Sequence, residues 1–268
     1  MSTRIIAIVN QKGGVGKTTT SINLATALTL LGQKVLLMDL DPQGNATTGL
    51  GVRRGQTEIT LYDVIVEEAE LAGACVNTNV ENLTLIPSDM DMSGAELAIG
   101  TAGGRTTRLK SALHTYISGL EAQNARPDYV LIDCPPALGL LTVNALAAAH
   151  SVIVPLQCEF FALEGLSQLL KTVEMAKAQI NPALTIDGVM LTMYDRRNRL
   201  SDQVVQDVRK HLGRAVFNTI IPRNVRVAEA PSYGKPVLLY DPRCAGSKAY
   251  MELGKEIIAK RRTRRSST

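Results

Sequence analysis

One stretch constrains this chain more than any other: Asn10-Gln11-Lys12-Gly13-Gly14-Val15-Gly16-Lys17-Thr18-Thr19. An apolar, β-branched run from Ile5 to Val9 precedes it, and a helical pattern from Thr18 to Leu31 follows. Strand, glycine-rich turn and helix in that order let backbone N–H groups converge on phosphate oxygens, and the helix amino end adds partial positive charge. The residues placed to bind a nucleotide are Gln11, Lys12, Gly13, Gly14, Val15, Gly16, Lys17, Thr18 and Thr19. Lys17 is expected at the β and γ phosphates and the Thr18 hydroxyl at Mg²⁺. The usual spacing G-x-x-x-x-G-K-[ST] would need glycine at position 11, which is glutamine. The pattern is instead K-G-G-x-G-K-[ST], with an extra lysine, Lys12. A turn that only joined strand to helix would need neither lysine.

Further apolar runs recur at Val35 to Asp39, Leu83 to Pro87, Tyr129 to Asp133, Val152 to Pro155, Ile186 to Thr192 and Val216 to Ile221. Between them helical spacing predicts helices over Arg105 to Ala122, Leu138 to Ala148, Gly165 to Ile180, Asp202 to Leu212 and Ser247 to Arg261. Alternating β and α units of this kind predict an α/β fold, a mostly parallel twisted sheet with helices on both faces. Length and composition agree: 268 residues that are 45% apolar can bury a substantial core. With no repeat, linker or composition shift, one domain over residues 1–259 is expected.

Ligands in an open parallel sheet bind at the carboxyl ends of strands. Two strands end in carboxylates there: Met38-Asp39-Leu40-Asp41-Pro42 and Ile132-Asp133-Cys134-Pro135-Pro136. A strand-end aspartate can hold a metal-bound water beside a phosphate loop, which suits Asp133. Single aspartates at strand ends also serve as turn formers or caps, the plainer alternative.

The lysine-bearing loop resembles the deviant Walker A motif of the ParA/MinD ATPases. The resemblance extends from about residue 4 to residue 258. It includes Cys134-Pro135-Pro136-Ala137-Leu138-Gly139, the segment from Pro155 to Gly165, Ile221-Pro222-Arg223-Asn224-Val225-Arg226, and Glu229-Ala230-Pro231-Ser232-Tyr233-Gly234-Lys235-Pro236. These look like the chromosomal ParA/Soj branch. The resemblance implies a slow, Mg-dependent ATP hydrolase, with catalytic roles for Lys12, Lys17 and Asp41. Lys12 would cross a dimer interface to the partner's nucleotide, and Asp41 would position the attacking water. Asp39 and Asp133 would hold Mg²⁺ through water, and Pro222 and Asn224 would contact the adenine. It further implies an ATP-dependent homodimer that binds double-stranded DNA without sequence preference, and a ParB-like partner that stimulates hydrolysis. Because the first strand starts at about residue 4, operator-specific repression through an amino-terminal helix-turn-helix domain is not expected.

Non-specific DNA binding needs several basic side chains on one surface. Arg196, Arg197 and Arg199 form one group, Arg223 and Arg226 another, and the family's contacts map best onto Arg197 and Arg226. The whole chain carries 29 basic and 25 acidic residues, a net charge of +4. Five of the basic residues, Lys260, Arg261, Arg262, Arg264 and Arg265, lie at the end, and residues 1–259 are left with 24 against 25. Affinity for DNA must therefore come from local clustering and from pairing of subunits. Residues 260–268 read as a basic, disordered tail, with an auxiliary DNA contact as the alternative.

Rival readings are a MinD-like membrane-surface ATPase, an iron-sulfur carrier of the same superfamily, and a small-molecule kinase or ligase. The first needs an amphipathic end, but Lys260 to Thr268 contains no apolar residue, and the Ile257 to Ile258 stripe suits a core. The second needs clustered cysteines; Cys75, Cys134, Cys158 and Cys244 are scattered, as reduced thiols are in a cytosolic protein. The third lacks an evident acceptor pocket. No export signal or membrane span is read, so the expected setting is the cytoplasm, at the nucleoid and not at a membrane. His114, His150 and His211, on or beside predicted helices, are most simply structural.

Overall fold

Strands buried on both faces need apolar side chains without alternation, and the central runs satisfy this. The computed structural model describes residues 2–53, 55, 57–100, 103–159 and 162–266. Phe160 and Phe161 of the segment from Pro155 to Gly165, and Ser267 and Thr268 of the basic end, lie outside the described residues. In chain order the elements are β1 (Arg4–Ile8), α1 (Lys17–Leu30), β2 (Val35–Asp39), α2 (Asn45–Gly49), α3 (Leu61–Val66), β3 (Val76–Asn77), β4 (Leu83–Ile86), α4 (Ala95–Ile99) and α5 (Arg108–Glu121). They continue as β5 (Tyr129–Asp133), α6 (Leu140–Ala148), β6 (Ser151–Gln157), α7 (Ala162–Gln179), β7 (Thr185–Thr192), α8 (Arg199–Leu212), α9 (Val225–Glu229), α10 (Val237–Tyr240) and α11 (Ala245–Ser266).

The sheet order is β3-β4-β2-β5-β1-β6-β7. Every pairing is parallel except β3 with β4. Alternate residues of β1 feed two apolar layers: Ile5 and Ala7 join α3 to α8 on one face, while Ile6 and Ile8 join α1, α10 and α11 on the other. The expected single α/β domain with helices on both faces is thus the fold observed. Helix α1 is buried nearly all round, as a helix between a sheet and another helix must be. It ends at Gly32 (φ 80°) in a Schellman cap, with Gln33 N–H donating to Leu28 O at 3.0 Å and Gly32 N–H to Thr29 O at 2.8 Å.

Two expectations change. Val216 to Ile221 is not a strand: Val216 makes one isolated bridge to Val189 of β7, and just past the segment Pro222 makes another to Tyr194, beyond the end of β7. Phe217 and Ile221 donate to Val189 and Leu191, but the intervening Asn218 and Thr219 N–H groups turn to the Glu256 carboxylate at 2.9 and 3.1 Å. A side chain from α11 has taken the donors a ladder would need.

The expected break after residue 259 and the disordered tail are also replaced, because α11 runs through to Ser266. Lys260 Nζ lies 3.9 Å from the Phe217 ring centroid, and the Arg261 guanidinium lies 4.7 Å from that of Tyr129. Each such contact contributes about 0.5–2 kcal/mol, enough to hold a basic helical turn against the body.

Candidate nucleotide site

Strand register builds the site. Parallel pairing sets Asp39 of β2 beside Asp133 of β5, and Asp133 beside Ile8 of β1, which leads into the glycine loop. Three strand ends thereby meet at one point on the carboxyl edge of the sheet. The loop turns through Gly14 (φ 75°) and Gly16 (φ 91°), left-handed conformations that L side chains rarely adopt. Gly16 is the N-cap of α1 and offers no side-chain cap, so the first helical N–H groups remain available to an anion. Val15 is buried and its carbonyl accepts from Thr192 Oγ1 at 2.9 Å, pinning the loop to the end of β7.

Lys17 is 7% exposed, and its Nζ donates to Lys12 O at 3.0 Å. Burial lowers its pKa, and the nearby Asp133 and Asp41 charges work against that. Gly13 and Gly14 are exposed and meet no neighbouring heavy atoms where a Cβ would stand. Thr18 and Thr19 line an adjoining pocket of about 300 Å³ with Asn45, Pro231 and Lys235. The Gln11 amide instead points to Thr172 Oγ1 on α7, at 3.4 Å.

The carboxylates differ in what holds them. Asp39 Oδ2 accepts from both the N–H and the hydroxyl of Thr47, each at 2.8 Å, and Oδ1 accepts from Asp41 N–H at 3.3 Å. Asp133 Oδ1 accepts from Ser21 Oγ at 2.8 Å, whereas its buried Oδ2 has no hydrogen-bond partner among the described residues. Burial holds both carboxyls above the usual carboxylate range; the Asp39 charge adds to it at Asp133, while at Asp39 the Thr47 hydrogen bonds oppose it and the Asp41 charge adds to it. Asp41, 8% exposed, accepts from Gln43 N–H at 3.0 Å. An unused buried oxygen among crowded carboxylates next to Lys17 fits a hydrated divalent cation, which would relieve that crowding.

Thr47, Ser21 and Thr192 are site residues that no motif in the sequence marks. Ser21 had a signal, lying four residues after Lys17 on the same face of α1; Thr47 was readable only as a hydroxyl soon after an aspartate. Thr47→Val would remove one of the three hydrogen bonds to the buried Asp39 and leave the Ser88 N–H, which donates to the Thr47 hydroxyl at 3.0 Å, without its acceptor. The expected loss is about 1–3 kcal/mol of stability, read as a lower urea midpoint.

Lys12 forms an ion pair with Glu159 of the same chain, and its side chain is 52% exposed. An exposed pair contributes about 0–1 kcal/mol, so Lys12 is retained only weakly. Pro222 sits where its segment bridges Tyr194, just beyond β7. Asn224 caps α9, its Oδ1 accepting from Arg226 N–H at 2.9 Å. The two DNA candidates are both engaged by acids. Arg197, with its side chain 84% exposed, donates through Nε and a terminal nitrogen to Asp195 at 3.0 and 2.9 Å. Arg226 pairs with Glu229 at 2.9 Å and Asp241 at 3.5 Å.

A family model described as an AAA domain matches residues 3–186. Chromosome partitioning protein ParA of Caulobacter vibrioides is 57% identical over 263 residues, which cover 98% of this chain and 97% of that protein. Sporulation initiation inhibitor protein Soj of Bacillus subtilis is 51% identical over 256 residues, 96% of this chain and 98% of that protein. The chain belongs to the ParA/Soj family of chromosome-partitioning ATPases. Among solved structures, cobyrinic acid a,c-diamide synthase from Mycobacterium smegmatis with bound ADP and magnesium superposes with a TM-score of 0.81 at 38% identity, over 96% of this chain and 94% of that one. The cell division ATPase MinD of Pyrococcus furiosus gives a TM-score of 0.78 at 28% identity, over 96% and 99%, a more distant likeness than the ParA/Soj proteins. In this ParA/Soj chain Leu253 and Ile257 of α11 are buried in the core, and among the described residues no helix is long and apolar enough to cross a membrane. Cys134 is buried in the apolar layer, which pushes its thiol pKa far up.

Proposed function

We propose that this chain is an ATP-driven DNA-segregation switch. ATP binding in the glycine loop pairs two copies, the pair binds double-stranded DNA without sequence preference, and a ParB-like partner stimulates slow hydrolysis to ADP and phosphate, at the nucleoid in the cytoplasm. The observation that carries the reading is the convergence of Lys17, Asp41, Asp39 and the unpartnered oxygen of Asp133 beside a loop of left-handed glycines.

Thr18, with Asp39 and Asp133 through water, would hold magnesium. A magnesium ion would supply neutralising charge to the phosphates. Lys17, kept in place by the Lys12 carbonyl, adds fixed positive charge. The Asp41 carboxylate takes no part in the Thr47 network and orients the attacking water. Phosphoryl transfer asks little more of a protein than this positioning. Pro222 and Asn224 contact the adenine, with the carboxamide oriented by its cap to α9. Lys12 leaves Glu159 and reaches the nucleotide of the second copy, at an energetic cost small enough for nucleotide binding to offset.

Arg197 and Arg226 meet DNA phosphates, which must displace Asp195, Glu229 and Asp241. A single copy offers few contacts and pairing doubles them, so the affinity should depend steeply on nucleotide. Gel shifts on a random-sequence duplex with ATP, with ADP and with no nucleotide test this. Binding is expected with ATP and strongly reduced in the other two; equal binding in all three would contradict the switch.

A further inference from the structure

The end of the sheet opposite the glycine loop holds a second, larger cavity of about 850 Å³. It opens beneath the amino ends of β1, β5, β6 and β7 and is bounded by α5 on one side and the end of α11 on the other. Its charge is one-sided: Arg4, Lys110, Arg126, Lys260 and Arg261 line it, against Glu121 and Asp187. Both carboxylates are engaged, Asp187 with Arg4 at 2.9 Å and Ser151 Oγ at 2.6 Å, and Glu121 with Arg126 at 3.2 Å. Lys110 and Arg261 have no carboxylate partner among the described residues.

Two further groups are poised as donors. The Tyr129 side chain is fully buried in this wall, and its hydroxyl has no hydrogen-bond partner among the described residues. His150 Nδ1 accepts from Ile5 N–H at 3.0 Å, so the proton of the neutral ring sits on Nε2. Partial burial first, and then the charges of Arg4, Lys110 and Arg261, lower the His150 pKa, with Asp187 opposing them. Buried polar groups are nearly always paired, and an orphan donor in a positive cavity points to an absent acceptor.

We propose that this cavity is a binding site for a small organic anion carrying two or more phosphate or carboxylate charges. The excess of cations sets the charge, and a lining that donates selects an accepting ligand. The volume is that of a small-molecule site, larger than a bare inorganic anion needs. Ile6, Ile117 and Ile257 in the lining call for an apolar body between the charged groups. Being enclosed by a helix on each side, the cavity does not present the continuous basic ridge that a duplex needs. The histidine beside β6 thus serves a site, and the basic end of α11 forms its wall.

Isothermal titration of the full chain, with its nucleotide site saturated by ADP and magnesium at about 0.1 M salt, tests the assignment. Fructose 1,6-bisphosphate and benzene-1,3,5-tricarboxylate are the probes, and they separate phosphate from carboxylate recognition. At least one is expected to bind in a single saturable step. Lys110→Glu, an exposed position on α5, is expected to weaken that step about tenfold or more, and Lys171→Glu on α7 to leave it unchanged. Tyr129→Phe removes only the orphan hydroxyl, so it should weaken binding while leaving the Tm equal or higher; a purely structural hydroxyl would lower the Tm and spare binding. The proposal is overturned if neither probe saturates, if Lys110→Glu binds as tightly as the parent, or if duplex DNA displaces the probe.

Discussion

Asp41→Ala is expected to bind ATP as the parent chain does and to release phosphate about a hundredfold more slowly or worse. The argument rests on how the three site carboxylates are held. Asp39 accepts three hydrogen bonds, two of them from Thr47, and Asp133 is fully buried against Ser21. Removing either of those disturbs the fold as well as the chemistry. Asp41 keeps one hydrogen bond, from the turn at Gln43, and retains capacity for a water. Truncating it leaves the glycine loop and Lys17 in place, so the loss should fall on turnover, in the range seen for removing one positioned polar group. Phosphate release measured beside equilibrium binding of a fluorescent ATP analogue separates the two effects. Normal turnover in Asp41→Ala would remove this residue from the mechanism; lost nucleotide binding would make its role structural.

Reversing either arginine proposed to contact DNA should have the second large effect. Arg197→Glu and Arg226→Glu are each expected to abolish the ATP-dependent gel shift while ATP-dependent pairing, followed by sedimentation, persists. Arg197 lies in an exposed turn and Arg226 on the short helix α9, and their ion pairs are with neighbouring surface acids. Each reversal replaces an attraction to phosphate with a repulsion, and pairing of subunits applies it twice. The resident acids allow an opposite test: Asp195→Asn frees Arg197 and should raise DNA affinity modestly, with a steeper salt dependence. If pairing and DNA binding are lost together, these arginines belong to the subunit interface instead.

The readable parts of this molecule were those whose physics is local. The central strands declare themselves because a strand buried on both faces has no polar residue to spare, and β1, β2 and β5 match their expected runs within a residue. The loop is legible because left-handed turns demand glycine at positions 14 and 16. What could not be read depends on distant partners. Nothing near Asn218 and Thr219 indicates that Glu256, 38 and 37 residues away, will take their N–H groups. A basic run such as Lys260 to Arg265 looks solvated until Phe217 and Tyr129 supply ring faces for its first two residues. Asp195 stands two residues before Arg197 and neutralises it locally, an effect that the net charge of a whole segment does not express. The Asp39 network failed for a related reason, since Thr47 meets Asp39 only after the chain turns through Gly44 into α2.

Glu256 has a consequence for how the protein behaves in a crowded cell. The outer side of β7 would otherwise offer a row of free backbone groups on which another chain could nucleate β-sheet growth. The segment from Val216 to Pro222 covers that row without becoming a strand, because its middle is tied down by a carboxylate and cannot serve as a template in its turn. Sheet growth is terminated at this boundary by an interaction that no incoming strand can copy. A chain with Glu256→Leu would fold around the same core yet expose a continuable edge, making self-association its characteristic failure.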